Sequence, residues 1–393
     1  MKNNPASPAT ARAINDRTAL DLFVRHASLS APQLRDLTGL SRPSVADLLE
    51  RLQDSGLVQL VGEAEQRRRG PKAKLYGLVA DHAHVVGVEV AEEAVHASVA
   101  DLTGVVAASA NRTINPDTSL PQLIARAIRD AVRRAGLEIA DVHTVVIGAP
   151  GAVDTTTGAL GPGYSFPGWD DNLLPELVDL LDVPVVFENE VNLAGVVELH
   201  NGAGRGRHDL AVLWLDRSVG ASIILDGRLR QGVSGGAGEV GKLALPGGSL
   251  PVAGKASGGF HDLAGSEAVV RLAGEHGIPK APVHRMLTDL REDDEPATAA
   301  FIAELAERVA LAALAVVAVV DPGLIVLAGD VGQAGGERLA NAVTKRLTVL
   351  DATPTDVYPS TLPDGLIVDG AILTGLEIAH DDIFGGGPEP AEA

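Results

Sequence analysis

Cysteine is absent from the 393 residues, which excludes disulfide staples and thiolate metal sites. Aromatic side chains are scarce, at 3%, too few for the platforms on which proteins stack single-stranded bases. Long apolar runs are missing too. The longest uncharged one, Val309–Val320, has 12 residues, where a membrane span needs about 20. It reads as a buried helix closing at Asp321-Pro322. The opening MKNNPASPATARAIND is polar, without the apolar stretch of roughly 7–15 residues that a signal peptide requires. These absences point to a cytoplasmic protein with no membrane partner. The rest is ordinary globular material, 46% hydrophobic and 21% charged, enough for a large core. At roughly 100–200 residues per domain, the length suggests two or three domains.

The formal net charge is −20, yet residues 1–80 hold 12 Lys+Arg against 8 Asp+Glu. An acidic body repels phosphate backbones, so any nucleic-acid contact belongs to this basic head. Its pattern is that of a winged helix-turn-helix. Residues from Asp16 to His26 carry Leu20, Leu22 and Phe23, a first helix. Ser30 caps a short helix through Leu34 and Leu37, closed by Gly39. Ser41 caps the next, where Val45, Leu48, Leu49 and Leu52 recur at i, i+3, i+4 and i+7 and Gly56 marks the end.

The turn Thr38-Gly39-Leu40 suits delivery of that last helix into a major groove. Arg42 and Ser44 then occupy the N-terminal turn that reaches base edges, and Arg51 is placed for phosphate. Leu57–Val61 and Lys74–Leu78 read as two strands around a basic loop. Within it Arg67, Arg68 and Arg69 precede Gly70-Pro71 and Lys72, a wing suited to an A·T-rich minor groove. The alternative is a small helical dimerisation module with a solvated arginine run.

From Asp81 onward, apolar runs alternate with helical patterns: His84–Val90, Val95–Asp101, Val142–Gly148, Val183–Phe187, Leu210–Leu215, Ala221–Leu225 and Leu324–Ala328. Such alternation argues for α/β layers. The first three read as a meander, with a helix over Pro121–Ala135. A second set starts near Leu210, with a close pair across Asp226-Gly227. The doubled start predicts two similar lobes facing a cleft, an actin-like or ribonuclease-H-like ATPase-type body behind the all-α winged head. The GGGPEPAEA ending reads as a disordered tail.

Four segments carry a family resemblance: GAPGAVD (148–154), FPGWDDNLLPELVDLLDVPVVFENEVNLA (166–194), LDGRLRQGVSGGAGEVGKLAL (225–245) and DPGLIVLAGDV (321–331). Together they resemble the ROK family of repressors, open reading frames and kinases, in its branch with an N-terminal winged helix. The resemblance implies a head over 1–80, a first lobe over 81–200 completed by 370–385, a second over 201–369, and a tail over 386–393.

In the family's sugar kinases the motif resembling Asn189-Glu190 is Asn-Asp, whose aspartate takes the sugar hydroxyl proton. Glu190 keeps a carboxylate but displaces it by a methylene, and misplacement of that size can cost about 10²-fold in rate. The nucleotide loops depart further. Where the family has a sequence like VGVDLGGTK, with glycines that open backbone N–H groups to phosphate, this chain reads VGVEVAEEAV, with Glu89, Ala91, Glu92 and Glu93. The second loop opens on Asp216 instead of glycine, and Asp330 intrudes on the third. A carboxylate 4 Å from a phosphate charge costs about 4 kcal/mol at an effective dielectric of 20. The resemblance therefore implies a body without nucleotide cofactor or catalytic residues.

The family's zinc site is missing as well. Lys242 stands in place of its histidine, no cysteine follows, and His261 reads as a solvated or structural residue. The family's sugar-hydroxyl set maps onto Asn189, Glu190, Glu239, Lys242 and Asp262, with Ser165 near a usual asparagine. An interlobe ion-pair cluster without ligand is the alternative. Trp169 packs on a sugar face or in the core.

The resulting expectation is a DNA-binding transcriptional regulator, a repressor that binds a double-stranded operator as a homodimer or homotetramer. Its kinase-like body senses a sugar or related effector. A sugar kinase with an appended head, or a pure assembly protein, are the alternatives.

Overall fold

The computed structural model describes residues 8–63, 73–91, 93–115, 118–151, 153–154, 157–161, 166–247, 249–252, 257–351, 353–363 and 366–385. The head comprises α1 (Pro8–His26), β1 (Leu29–Ser30), α2 (Ala31–Thr38), α3 (Arg42–Asp54), β2 (Val58–Glu63) and β3 (Lys74–Leu78). Its three strands pair antiparallel in the order β1-β3-β2.

Local chemistry dictates the helix ends. At the start of α2 the Gln33 side-chain oxygen accepts from the Ser30 N–H at 2.9 Å and from its hydroxyl at 2.7 Å. Ser41 Oγ accepts from the Ser44 N–H at the start of α3. Between them Gly39 takes φ +70° and donates to the Arg35 carbonyl, a left-handed cap that glycine adopts without steric cost. The face read as apolar is the buried one: Val45, Leu48, Leu49 and Leu52 are at most 4% exposed and pack with Leu20, Phe23 and Leu34.

The first lobe holds β4 (His84–Val90), β5 (Ala94–Asp101), β6 (Val106–Thr113), α4 (Leu120–Arg134), β7 (Val142–Ala149), α5 (Leu173–Leu181), β8 (Val185–Asn189) and α6 (Glu190–Asn201). The second holds β9 (Leu210–Leu215), β10 (Val219–Leu225), β11 (Arg228–Leu229), α7 (His261–Ala264), α8 (Ser266–Glu275), α9 (Val283–Asp289), α10 (Pro296–Val320), β12 (Leu324–Ala328), α11 (Gly329–Leu350) and β13 (Asp356–Pro359). The last helix, α12 (Leu366–Phe384), returns to the first lobe and lies across β4 and β7 beside α6.

The two sheets repeat one plan. Their orders are β6-β5-β4-β7-β8 and β11-β10-β9-β12-β13. In each, three antiparallel strands are followed by two parallel ones added beside the first. This is the expected two-lobed, ribonuclease-H-like body. One expectation is corrected: the third meander strand is Val106–Thr113, and Val142–Ala149 is instead the parallel fourth strand. The segment Val309–Val320 ends α10, closed by Asp321 at φ +46°. No described helix is long and apolar enough to cross a membrane.

Candidate functional site

Parallel strands expose their carboxyl ends at one edge, and crossings at a change of strand order leave a crevice there. In both lobes the chemistry gathers at that edge. Glu89 lies near the end of β4, Asp216 directly follows β9, Asp330 opens α11 after β12, and Asn189-Glu190 joins β8 to α6.

Asn189 caps α6: its Oδ1 accepts from the Val191 N–H at 2.7 Å. It shares a pocket with Gly151, Ser218, Gly220 and Glu239. Lys242 Nζ lies 3.0 Å from Glu239 Oε2, so three of the predicted sugar-binding residues are brought together. Glu190 has a different neighbourhood. Burial is the main cause that pushes its carboxyl up to about 7, with Asp216 and Glu89 adding repulsion and Arg217 opposing them. Asp262 also has other work: its carboxylate accepts from Ser249 Oγ at 2.5 Å and from the Gly258 N–H at 3.1 Å. These bonds hold its pKa below the usual carboxylate range and tie Ser249 and Gly258 to α7. Ser165 lies outside the described residues.

His261 is buried, and its Nδ1 accepts from the Val219 N–H at 3.2 Å. Burial lowers its pKa. It is a structural histidine, not a solvated one. Trp169 belongs to the core: it is 8% exposed, donates from its indole N–H to Gly158 O at 3.1 Å, and sits 5.0 Å from the Phe187 ring. Among the described residues no group of three or more His, Asp or Glu is placed to hold a metal ion.

Asp216 is bonded within its own turn: its Oδ1 accepts from the Arg217 N–H at 2.6 Å. The amide that follows β9 thus has an internal carboxylate partner. Burial raises the Asp216 pKa, and Asp330 raises it further. Asp330 also sits in the first turn of α11, where a carboxylate complements the positive helix end.

Sequence reasoning missed Glu188. This residue is 2% exposed, and its carboxylate accepts from the Asn189 N–H at 2.8 Å, from Asn192 Nδ2 at 2.8 Å and from Gln231 Nε2. Gln231 follows β11 in the second lobe, so one carboxylate ties the cleft residue Asn189 to both lobes. Glu188 lay inside the quoted ENEVN motif, but no local pattern marks a partner 43 residues away.

In the head, Arg42 and Ser44 stand exposed at the start of α3. Arg51 bridges α3 to α1: its Nη2 lies 2.5 Å from Asp16 Oδ1, its Nε 3.2 Å from Asp16 Oδ2, and its Nη1 2.5 Å from Asp47 Oδ2. The hydrogen bond to Asp16 is the main cause that raises its pKa. Arg67, Arg68, Arg69 and Lys72 lie outside the described residues, as does the tail.

The Glu190 environment has a measurable consequence. Below pH about 4.5 the carboxyl is neutral in both folded and unfolded chains. Between there and about 7 only the unfolded chain ionises, so stability falls as pH rises through this window and the loss is complete above it. Glu190→Gln removes that slope. Relative to the parent it gains about 2 kcal/mol between pH 4.5 and 8, allowing for water at the cleft, as read by denaturant unfolding at each pH.

Comparison with known proteins divides the chain into the same head and body. The ROK family model matches residues 85–373, and the MarR family model matches residues 7–69. The glucokinase of Halalkalibacterium halodurans is 31% identical over 137 residues, 34% of this chain and 41% of that protein. The xylose repressor of Bacillus subtilis is 22% identical over 238 residues, 59% of this chain and 60% of the repressor. The chain thus spans about half the length of these curated relatives. A ROK family transcriptional regulator, a homolog of the E. coli MLC protein, superposes with a TM-score of 0.73 at 17% identity. That match covers 95% of this chain and 98% of the regulator. The ROK hexokinase from Thermus thermophilus superposes with a TM-score of 0.64 at 25% identity, over 75% of this chain and 99% of the hexokinase.

Proposed function

Because the chain belongs to the ROK family, we propose that it is a transcriptional regulator of the repressor type. Its head reads a double-stranded operator, and its body senses a sugar or sugar derivative without phosphorylating it. The observation that carries this reading is the pairing of a winged head with a body in which Asp216, where the family's kinases have glycine, accepts from the backbone of its own turn. Similarity to a glucokinase on one side and a xylose repressor on the other supports sugar recognition.

The working units are residues 1–80, then 81–200 with 370–385, then 201–369. Asn189, Glu239 and Lys242 are the effector contacts, and Arg42, Ser44, Arg67, Arg68, Arg69 and Lys72 are the DNA contacts. The protein acts in the cytoplasm as a homodimer or homotetramer, so that two heads meet half-sites about one helical turn apart. The effector changes operator affinity only by binding the two body conformations unequally.

Electrophoretic shift with the gene's own upstream DNA over a salt series tests this. Sequence-selective binding is expected, with log affinity falling against log salt by about 0.9 per phosphate neutralised. Absence of selective binding at every salt concentration, with and without D-xylose or D-glucose, overturns it.

A further inference from the structure

We infer that the last turn of α12 is the surface on which the head is held and oriented, so that displacements of the body's cleft helix α6 reach α1. The regulatory part of this inference rests on the regulator reading above; the orienting contact does not.

The contact joins the two ends of the chain. On α1, Arg17 donates from Nη1 to the His380 carbonyl at 2.9 Å, and its Nη2 meets Asp381 Oδ1 at 2.7 Å. Its Nε bonds to Asp21 Oδ1 at 3.0 Å, which fixes the fork on its own helix. The guanidinium carbon lies 5.6 Å from the centre of the Phe384 ring, within cation–π range. Phe384 is 5% exposed and packs in the head's own core with Leu20, Phe23 and Leu34. A residue of the C-terminal helix therefore completes the hydrophobic core of the DNA-reading unit.

The same turn is anchored to the body. His380 stacks on Phe384, with ring centres 4.6 Å apart and planes 12° from parallel. Its Nε2–H donates to the Leu102 carbonyl at 2.9 Å, and burial lowers its pKa, consistent with a neutral ring. Ile383 touches both the head core and the first-lobe cluster of Val85, Leu102 and Ile372.

At its other end α12 meets the site. A Cβ placed on Gly370 would stand 2.4 Å from the Leu193 carbonyl of α6, a backbone approach that only glycine permits. The helix α6 begins at Asn189-Glu190, inside the cleft. From Gly370 to Phe384, α12 spans about 21 Å between the effector helix and the head.

The cysteine-free sequence makes the test clean. Spin labels at Gln53→Cys on α3 and Asp179→Cys on α5 report the head–body distance by double electron–electron resonance. Dilution with unlabelled chain keeps the signal within one molecule. Neither DNA nor sugar is needed, so the outcome is independent of the regulator reading.

The parent is expected to give one narrow distribution. Arg17→Ala combined with Phe384→Ala widens it at least twofold, with helix content by circular dichroism unchanged. Asp381→Ala, which leaves the core whole, widens it less. Gly370→Ala, or the milder Gly375→Ala should the first fail to fold, shifts the mean distance in the parent but not in the Arg17/Phe384 double variant. A width unchanged by the double variant overturns the orienting surface. A mean unmoved by both glycine variants overturns transmission along α12.

Discussion

Alanine at Arg42 is expected to weaken binding to the upstream DNA by about 10- to 100-fold, while alanine at Arg51 leaves it unchanged wherever the head stays folded. The two arginines open and close α3, and both belong to the sequence pattern of a recognition helix. They differ in what surrounds them. Arg42 stands exposed in the first turn, the part of a recognition helix that enters the groove. Arg51 is clamped between Asp16 and Asp47, and its two-pronged contact with Asp16 ties α3 to α1. Removing it lowers the stability of the head by about 1 kcal/mol, the scale of a partly exposed ion pair. The salt slope should stay at the parent value, because no phosphate contact is lost. A slope shallower by about one unit in Arg51→Ala would restore it to the DNA interface.

Glu188→Ala is expected to destabilise the body by about 3 kcal/mol or more, read as a drop in urea midpoint. The carboxylate accepts three hydrogen bonds in a nearly dry site. Its loss strands three donors, each costing about 1–3 kcal/mol where no water reaches. Gln231→Ala removes only the cross-lobe donor, so it should cost less, about 1 kcal/mol. The pair of variants separates support of Asn189 from support of the lobe contact. Equal, small losses in both would mean that water takes the place of the carboxylate and that Glu188 does not organise the cleft.

Much of this fold was legible because its signals are local. The helices α2 and α3 announce themselves through Ser30, Gly39 and Ser41, and the core face of α3 through four leucine and valine positions. The central strands β4, β7, β9 and β12 are near-continuous apolar runs because both their faces are covered. Strand β6 escaped notice for the opposite reason. Only Ala110 of its eight residues is buried, so alanine, serine, asparagine and arginine fill its exposed face and mimic a loop. Edge strand β13 is four residues long and ends in proline, too little for a pattern.

At the site, motif spacing pointed to Asn189 and Glu239, which line one pocket, but could not show how neighbouring charges are used. Arg51, Asp262 and Glu190 have the residue types of contacts to phosphate or sugar. The fold gives Arg51 and Asp262 internal partners and places Glu190 beside other carboxylates. Contacts made across the chain, Glu188 with Gln231 and Arg17 with α12, leave no trace in any local window.

On the regulator reading proposed above, carboxylates stand where a triphosphate would need open backbone amides, leaving a receptor in place of a catalyst. Calorimetric titration of the full chain with Mg²⁺-ATP, in the presence of D-glucose, tests it most directly. The account predicts no saturable heat up to millimolar nucleotide. A well-defined isotherm in the micromolar range, followed by ADP and sugar phosphate in the cell, would contradict it.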